Sequence, residues 1–176
     1  MRCIKRISSC FRRMSNEHRR VKTHYALIVG LLFVALAVFT WSFGGETHRI
    51  LTLYMFPKYS LPLPVMYVLW SFFYFMLGYI VVGLMCVCES YKRLASQKIA
   101  LIMIMSAMFS YVSYLLFFSA VSSFMAFVLM LISTVFCIFA FIESKRMFCF
   151  WSILIFTYLV WTIYNALIPL GFFIIN

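Results

Sequence analysis

PKYSLPLPVMYVLWSFFYFMLGY, residues Pro57 to Tyr79, opens as a proline-broken loop and closes as an aromatic helix without a charge. Pro57, Pro62 and Pro64 each lack an amide donor and restrain the residue before them, so regular helix is expected from about Val65. From there Trp70, Tyr74 and Gly78 recur every fourth residue. That spacing stacks them on one helical face, where the glycine leaves room for a close neighbour or a ligand. Rings below a rigid loop can wall a pocket, or they can simply pack helices.

The composition around this stretch fixes the solvent. Hydrophobic residues make up 66% of the 176 and charged residues 11%, with a mean hydropathy of +1.04. A water-soluble domain of this length cannot bury so much apolar surface, so the chain lies in lipid. Apolar segments at about 24–43, 64–88, 99–119, 122–142 and 148–173 each supply the ~20 residues that cross ~30 Å of hydrocarbon. The four acids, Glu17, Glu46, Glu89 and Glu143, are kept out of the hydrocarbon.

The basic residues sort by side. Eight Lys/Arg stand in the first 23 residues, then Lys92, Arg93 and Lys98 after the second span and Lys145 and Arg146 after the fourth. Only Arg49 and Lys58 fall on the other side. The positive-inside rule then places the N-terminus in the cytosol and the C-terminus on the opposite side of a five-helix all-α transmembrane domain, residues 24–176. Residues 1–23 are expected to form a separate basic, unstructured tail. It sets topology, or serves as a transit peptide, or attracts anionic lipid at about 1 kcal/mol per basic residue. Cys3 and Cys10 are candidate acylation sites, and the run Arg12-Arg13-Met14-Ser15 fits a basophilic kinase pattern. With the positive charge at the membrane flanks, the partners are lipids and no nucleic acid is expected.

Two further features lie in the spans. Ser106, Ser110 and Ser113 make one polar stripe on the third, suited to close helix packing or to lining a cavity. Tyr158, Trp161 and Asn165 share a face of the fifth, followed by Pro169, which denies a donor to the Asn165 carbonyl and is expected to kink the helix. No carboxylate lies within a span, so no acid–base pair offers itself and no catalytic residue is assigned. Cys86 and Cys88 have no histidine or second cysteine pair beside them, which leaves no metal site. The six cysteines show no disulfide framework.

These residues resemble the TspO/MBR family of tryptophan-rich sensory, or translocator, proteins over about residues 57–176. The resemblance rests on Pro57, Pro62, Trp70, Tyr74 and Gly78-Tyr79, and on Phe117-Phe118 at the end of the third span. It continues in Tyr158-Leu159-Val160-Trp161, Tyr164, Leu170-Gly171 and Asn176. The chain departs from the family where Ser106, Ser110 and Ser113 replace Gln, Asn and Trp, where Pro169 replaces Asn, and where Lys58 and Tyr59 replace loop tryptophans. The family's sterol-recognition segment beyond the fifth helix has no counterpart before Asn176.

The resemblance implies a five-helix bundle that binds tetrapyrroles such as protoporphyrin or haem, or sterols, for transport, sensing or scavenging. No cofactor is required; the porphyrin is the ligand. Trp70, Tyr74, Tyr158 and Trp161 are then the expected walls, Ser110, Ser113 and Asn165 the polar contacts, and Pro57, Tyr59 and Pro62 the loop over the pocket. The alternative is a non-transporting scaffold or assembly protein whose aromatics only pack helices. Phe-rich faces with small residues permit a homodimer. Mitochondrial outer, secretory and bacterial membranes suit the tail equally.

Overall fold

The computed structural model describes residues 23–43, 57–87, 90–118, 122–147 and 149–176. Five helices account for almost all of them: α1 (Thr23–Phe43), α2 (Leu63–Met85), α3 (Ser90–Phe118), α4 (Ser123–Met147) and α5 (Cys149–Ile175). All five are long and apolar enough to cross a membrane. The basic tail, the first-loop residues 44–56 with His48 and Arg49, and Cys88 lie outside the described residues, as do Ala120 and Val121 between α3 and α4.

The helices close into a ring in which α1 packs on α2 and α3, α2 also on α5, and α4 between α3 and α5. A further contact joins α2 to α3 across the ring. Because α2 touches three neighbours, its aromatic face is interior; α1 touches two and turns Leu27, Ile28, Leu31 and Leu32 outward. Those exposed side chains need no protein partner where the solvent is hydrocarbon.

Helix boundaries differ from the hydropathy segments for local reasons. Helix α2 begins at Leu63, two residues before Val65. Pro62 is its N-cap and receives the Met66 N–H at 3.1 Å, while Pro64 sits in the first turn, where a missing donor costs nothing. Helix α3 begins at Ser90, well ahead of the apolar run at residue 99. Lys, Arg, Leu, Ala and Gln there are good helix formers, and helix extends past the hydrocarbon wherever propensity permits. The Ser96 hydroxyl fastens this extension by donating to the Leu84 carbonyl of α2 at 2.6 Å. Helix α5 runs on through Pro169 to Ile175.

With no hydrophobic force between helices in lipid, the contacts rest on close packing and hydrogen bonds. Gly78 meets Gly30 backbone to backbone: a Cβ built on Gly78 would lie 2.6 Å from the Gly30 Cα. The glycine on the aromatic face therefore admits helix α1. The serine stripe of α3 is spent the same way. Ser106 and Ser133 of α4 bond each other at 2.9 Å, and the hydroxyl of each also reaches the other's carbonyl, at 3.0 and 2.8 Å. Ser113 donates to the Ala126 carbonyl of α4 at 2.6 Å. Because Ser133 keeps its bond to the Ser106 carbonyl when the Ser106 hydroxyl is removed, Ser106→Ala should cost only about 0.6 kcal/mol in a bicelle unfolding titration. A loss several times larger would mean that the pair anchors α3 on α4 alone.

One expectation about cysteines is corrected. Cys149, at the start of α5, is disulfide-bonded, so the cysteines are not all free thiols. Cys86 and Cys137 are free. Cysteine spacing alone does not report which residues the bundle brings together.

Candidate functional site

The residues singled out by sequence divide into an interior network and an outer groove. The interior centres on Trp70, which is 2% exposed. Its indole N–H is shared between the Tyr114 hydroxyl at 2.7 Å and the Asn165 Oδ1 at 2.8 Å, joining α2, α3 and α5 through one donor. Asn165 completes its own bonding by donating Nδ2 to the Trp161 carbonyl one turn back, at 2.9 Å. Tyr74 bonds Ser110 at 2.8 Å and stacks on Tyr111 with ring centroids 4.6 Å apart. Tyr111 in turn donates to the Phe33 carbonyl of α1 at 2.7 Å. Tyr158 is buried among Tyr74, Tyr111, Tyr114 and Cys137. In a dry core each bonded polar group avoids a desolvation cost of about 1–3 kcal/mol, so this network is built to stay closed.

All seven expected pocket residues are buried, Trp161 among them. Trp70, Tyr74, Ser110, Tyr158 and Asn165 lie together, while Ser113 faces α4. Trp161 also lines a cavity. This cavity, of about 450 Å³, is a groove on the outside of the bundle between α2 and α5. Its floor is Trp161 stacked on Phe73, with ring centroids 4.5 Å apart and planes 7° from parallel. Phe156, Thr157 and Val160 of α5 form its outer wall, and all three are exposed. Tyr164 and Leu61 line it towards the loop. The size is that of a small-molecule site, and the lining offers almost no polar contact. Thr157 already donates to the Ile153 carbonyl at 3.0 Å, and Tyr164 accepts the Leu61 N–H at 3.1 Å.

The loop named over the pocket sits at this groove. A turn at Pro57, closed by the Ser60 N–H at 2.9 Å, presents Tyr59 to α5. The Tyr59 hydroxyl donates to the Leu167 carbonyl at 2.6 Å. The Leu167 carbonyl that accepts this bond lies two residues before Pro169 in α5. Burial and the neighbouring Tyr164 raise the Tyr59 pKa above its ordinary value, against the lowering effect of the Gly171 N–H. The hydroxyl is thus protonated at neutral pH and available as a donor. Gly171 is required here: a Cβ would lie 1.8 Å from the Tyr59 oxygen and 2.7 Å from Pro57.

Phe73, Phe156, Val160 and Leu61 were not foreseen. A Phe or Val facing a groove looks in sequence like one facing lipid, so only Trp161 and Tyr164 carried a signal. Among the described residues no three of His, Cys, Asp and Glu cluster as metal ligands. No family model, curated protein or solved structure matches the chain.

Proposed function

We propose that this chain is a TspO/MBR-like membrane protein that holds a flat, largely apolar ligand in the α2–α5 groove, for transport, sensing or scavenging. The ligand class is a tetrapyrrole such as protoporphyrin or haem, or a sterol. The observation that carries the reading is the groove itself: a 450 Å³ apolar trough with the Phe73–Trp161 stack as its floor and a tied-down loop at one end. Aromatic floors supply contact area at little entropic cost, and an open flank suits a ligand dissolved in the bilayer.

The second reading, a scaffold whose aromatics only pack helices, draws on the interior. Trp70, Tyr74, Tyr158 and Asn165 are buried, with Trp70 bonded to Asn165 and Tyr74 to Ser110, which is what a packing core requires. Titration of the purified protein with protoporphyrin IX, followed by tryptophan fluorescence, separates the two. Ligand binding predicts saturable micromolar quenching, and Trp161→Ala should weaken it at least tenfold while far-UV circular dichroism stays unchanged. Non-saturable quenching, equal in variant and parent, would leave the scaffold.

A further inference from the structure

We propose that, when no other ligand is present, the α2–α5 groove holds the end of one acyl chain of an anionic phospholipid whose phosphate lies beside Lys58. This goes beyond the reading above and does not depend on a tetrapyrrole entering the groove.

Three observations converge on it. The first is the lining. The two hydroxyls in the groove, on Thr157 and Tyr164, are already bonded to the Ile153 carbonyl and the Leu61 N–H. No lining residue is charged, so the part of an occupant that rests there must be hydrocarbon; an ionic group would be desolvated without a partner. The floor is flat, with Phe73 and Trp161 stacked 7° from parallel. Phe156 and Val160, half exposed at 50% and 53%, leave the flank open, so a linear chain can enter from the bilayer.

The second observation is depth. Trp161 lies near the middle of the 27-residue α5, and so near the bilayer midplane. The turn that carries Lys58 packs on the same helix at Gly171, where a Cβ would lie 2.7 Å from Pro57. The ten residues from Trp161 to Gly171 span about 15 Å, which is half of a ~30 Å hydrocarbon core. A phospholipid with its head at the turn therefore ends its chain at the groove.

The third is charge. Lys58 is exposed at the tip of the turn, which the Ser60 N–H closes on the Pro57 carbonyl at 2.9 Å. The Tyr59–Leu167 bond ties that turn to α5. Lys58 is the only charged side chain among the described residues at this end of the bundle, so among them no carboxylate competes with a phosphate for it.

The test uses the full chain in mixed phosphatidylcholine and phosphatidylglycerol vesicles, with bromine on the distal half of the acyl chains of one lipid at a time. Bromine quenches tryptophan at contact range, and the part of the quenching that Trp161→Phe removes is the signal of the groove. Brominated phosphatidylglycerol should half-saturate this signal at about a fivefold lower mole fraction than brominated phosphatidylcholine, the factor that one lysine contributes at a membrane surface. Lys58→Gln should abolish the preference and Lys58→Arg should keep it. Val160→Phe, at a lipid-facing position, should fill the trough and remove the signal for both lipids with helix content unchanged. Equal half-saturation by the two lipids in the parent overturns the proposal. So does a preference that survives Lys58→Gln, which would assign it to the basic tail, or a signal that survives Val160→Phe, which would place the lipid on the open helix surface. Because no porphyrin is present, each of these failures leaves the tetrapyrrole reading standing, and a failure of protoporphyrin to bind leaves the lipid site standing.

Discussion

Gly83→Ala will be the most damaging single-methyl change in this chain. A Cβ at position 83 of α2 would stand 1.8 Å from Cη2 of Trp151, 2.2 Å from Cζ2 and 2.5 Å from Cζ3. All three atoms belong to one rigid ring, so no flexible tip can swing aside. Trp151 is 1% exposed and has Tyr79 and Phe150 beside it, at ring-centroid distances of 5.6 and 4.9 Å. The indole can yield only if α2 and α5 separate or if it leaves its rotamer. Overpacking of this kind costs about 3 kcal/mol, near the top of the usual range, because both responses disturb a packed helix pair. Lipid gives nothing back, since burial between helices carries no hydrophobic gain that a looser packing could retain elsewhere. A detergent unfolding titration should show the loss. Trp151→Phe in the Gly83→Ala background should recover at least half of it by vacating the six-membered ring of the indole. No rescue would mean that the alanine acts through α2 itself rather than through Trp151. The same variant should also weaken the groove, because Phe73 and Trp161 are stacked across this same pair of helices.

The class of fold was legible because it depends on composition and length, which hydrocarbon solvent makes decisive. Five apolar runs became five helices long and apolar enough to span. Boundaries were less legible where helix and hydrocarbon part company, as at Ser90–Ile99, where good helix formers carry α3 beyond the apolar run. Faces were legible, but what stands opposite a face was not. The spacing of Trp70, Tyr74 and Gly78 correctly put them on one side of α2. Whether that side met a ligand or a helix depended on Gly30, Ser110, Tyr114 and Asn165, residues of three other helices. Periodicity is a property of one helix and cannot report its neighbours.

Asn165 shows both halves of this. Its polarity alone placed it towards the bundle interior, and it is 1% exposed. Its partner could not be read from sequence, because the donor comes from a tryptophan 95 positions away. Tyr59 is the opposite case. It was marked only as part of a loop over a pocket, yet its hydroxyl joins the α5 backbone, in a gap kept open by a glycine and flanked by a proline. A kink at Pro169 was the expected consequence of that proline. The helix runs on past it to Ile175, and the Tyr59 hydroxyl donates to the Leu167 carbonyl two residues before it.

Trp70→Phe will separate stability from binding. The change removes the only indole donor to Asn165 Oδ1 and opens a void beside Trp41, Tyr67 and Tyr114, whose rings lie 5.3, 5.7 and 4.8 Å away. A buried acceptor left without its donor costs about 1–3 kcal/mol, and the void adds to it, so a total of about 3 kcal/mol is expected. Asn165→Leu alone is milder, about 1 kcal/mol, because the Trp70 N–H keeps its bond to Tyr114. The two losses should not add. Once leucine occupies position 165 there is no Oδ1 to strand, so the double variant should be about 1 kcal/mol more stable than the sum of the singles. Additivity within 0.3 kcal/mol would show that the Trp70–Asn165 bond contributes nothing beyond packing. Protoporphyrin quenching gives the other half of the answer. Trp70 lies outside the groove, so Trp70→Phe at a temperature where it is folded should bind the porphyrin with unchanged affinity, whereas Trp161→Ala should not. If Trp70→Phe abolished binding while the helix content was intact, the ligand would have to enter the bundle interior and displace the network that now fills it.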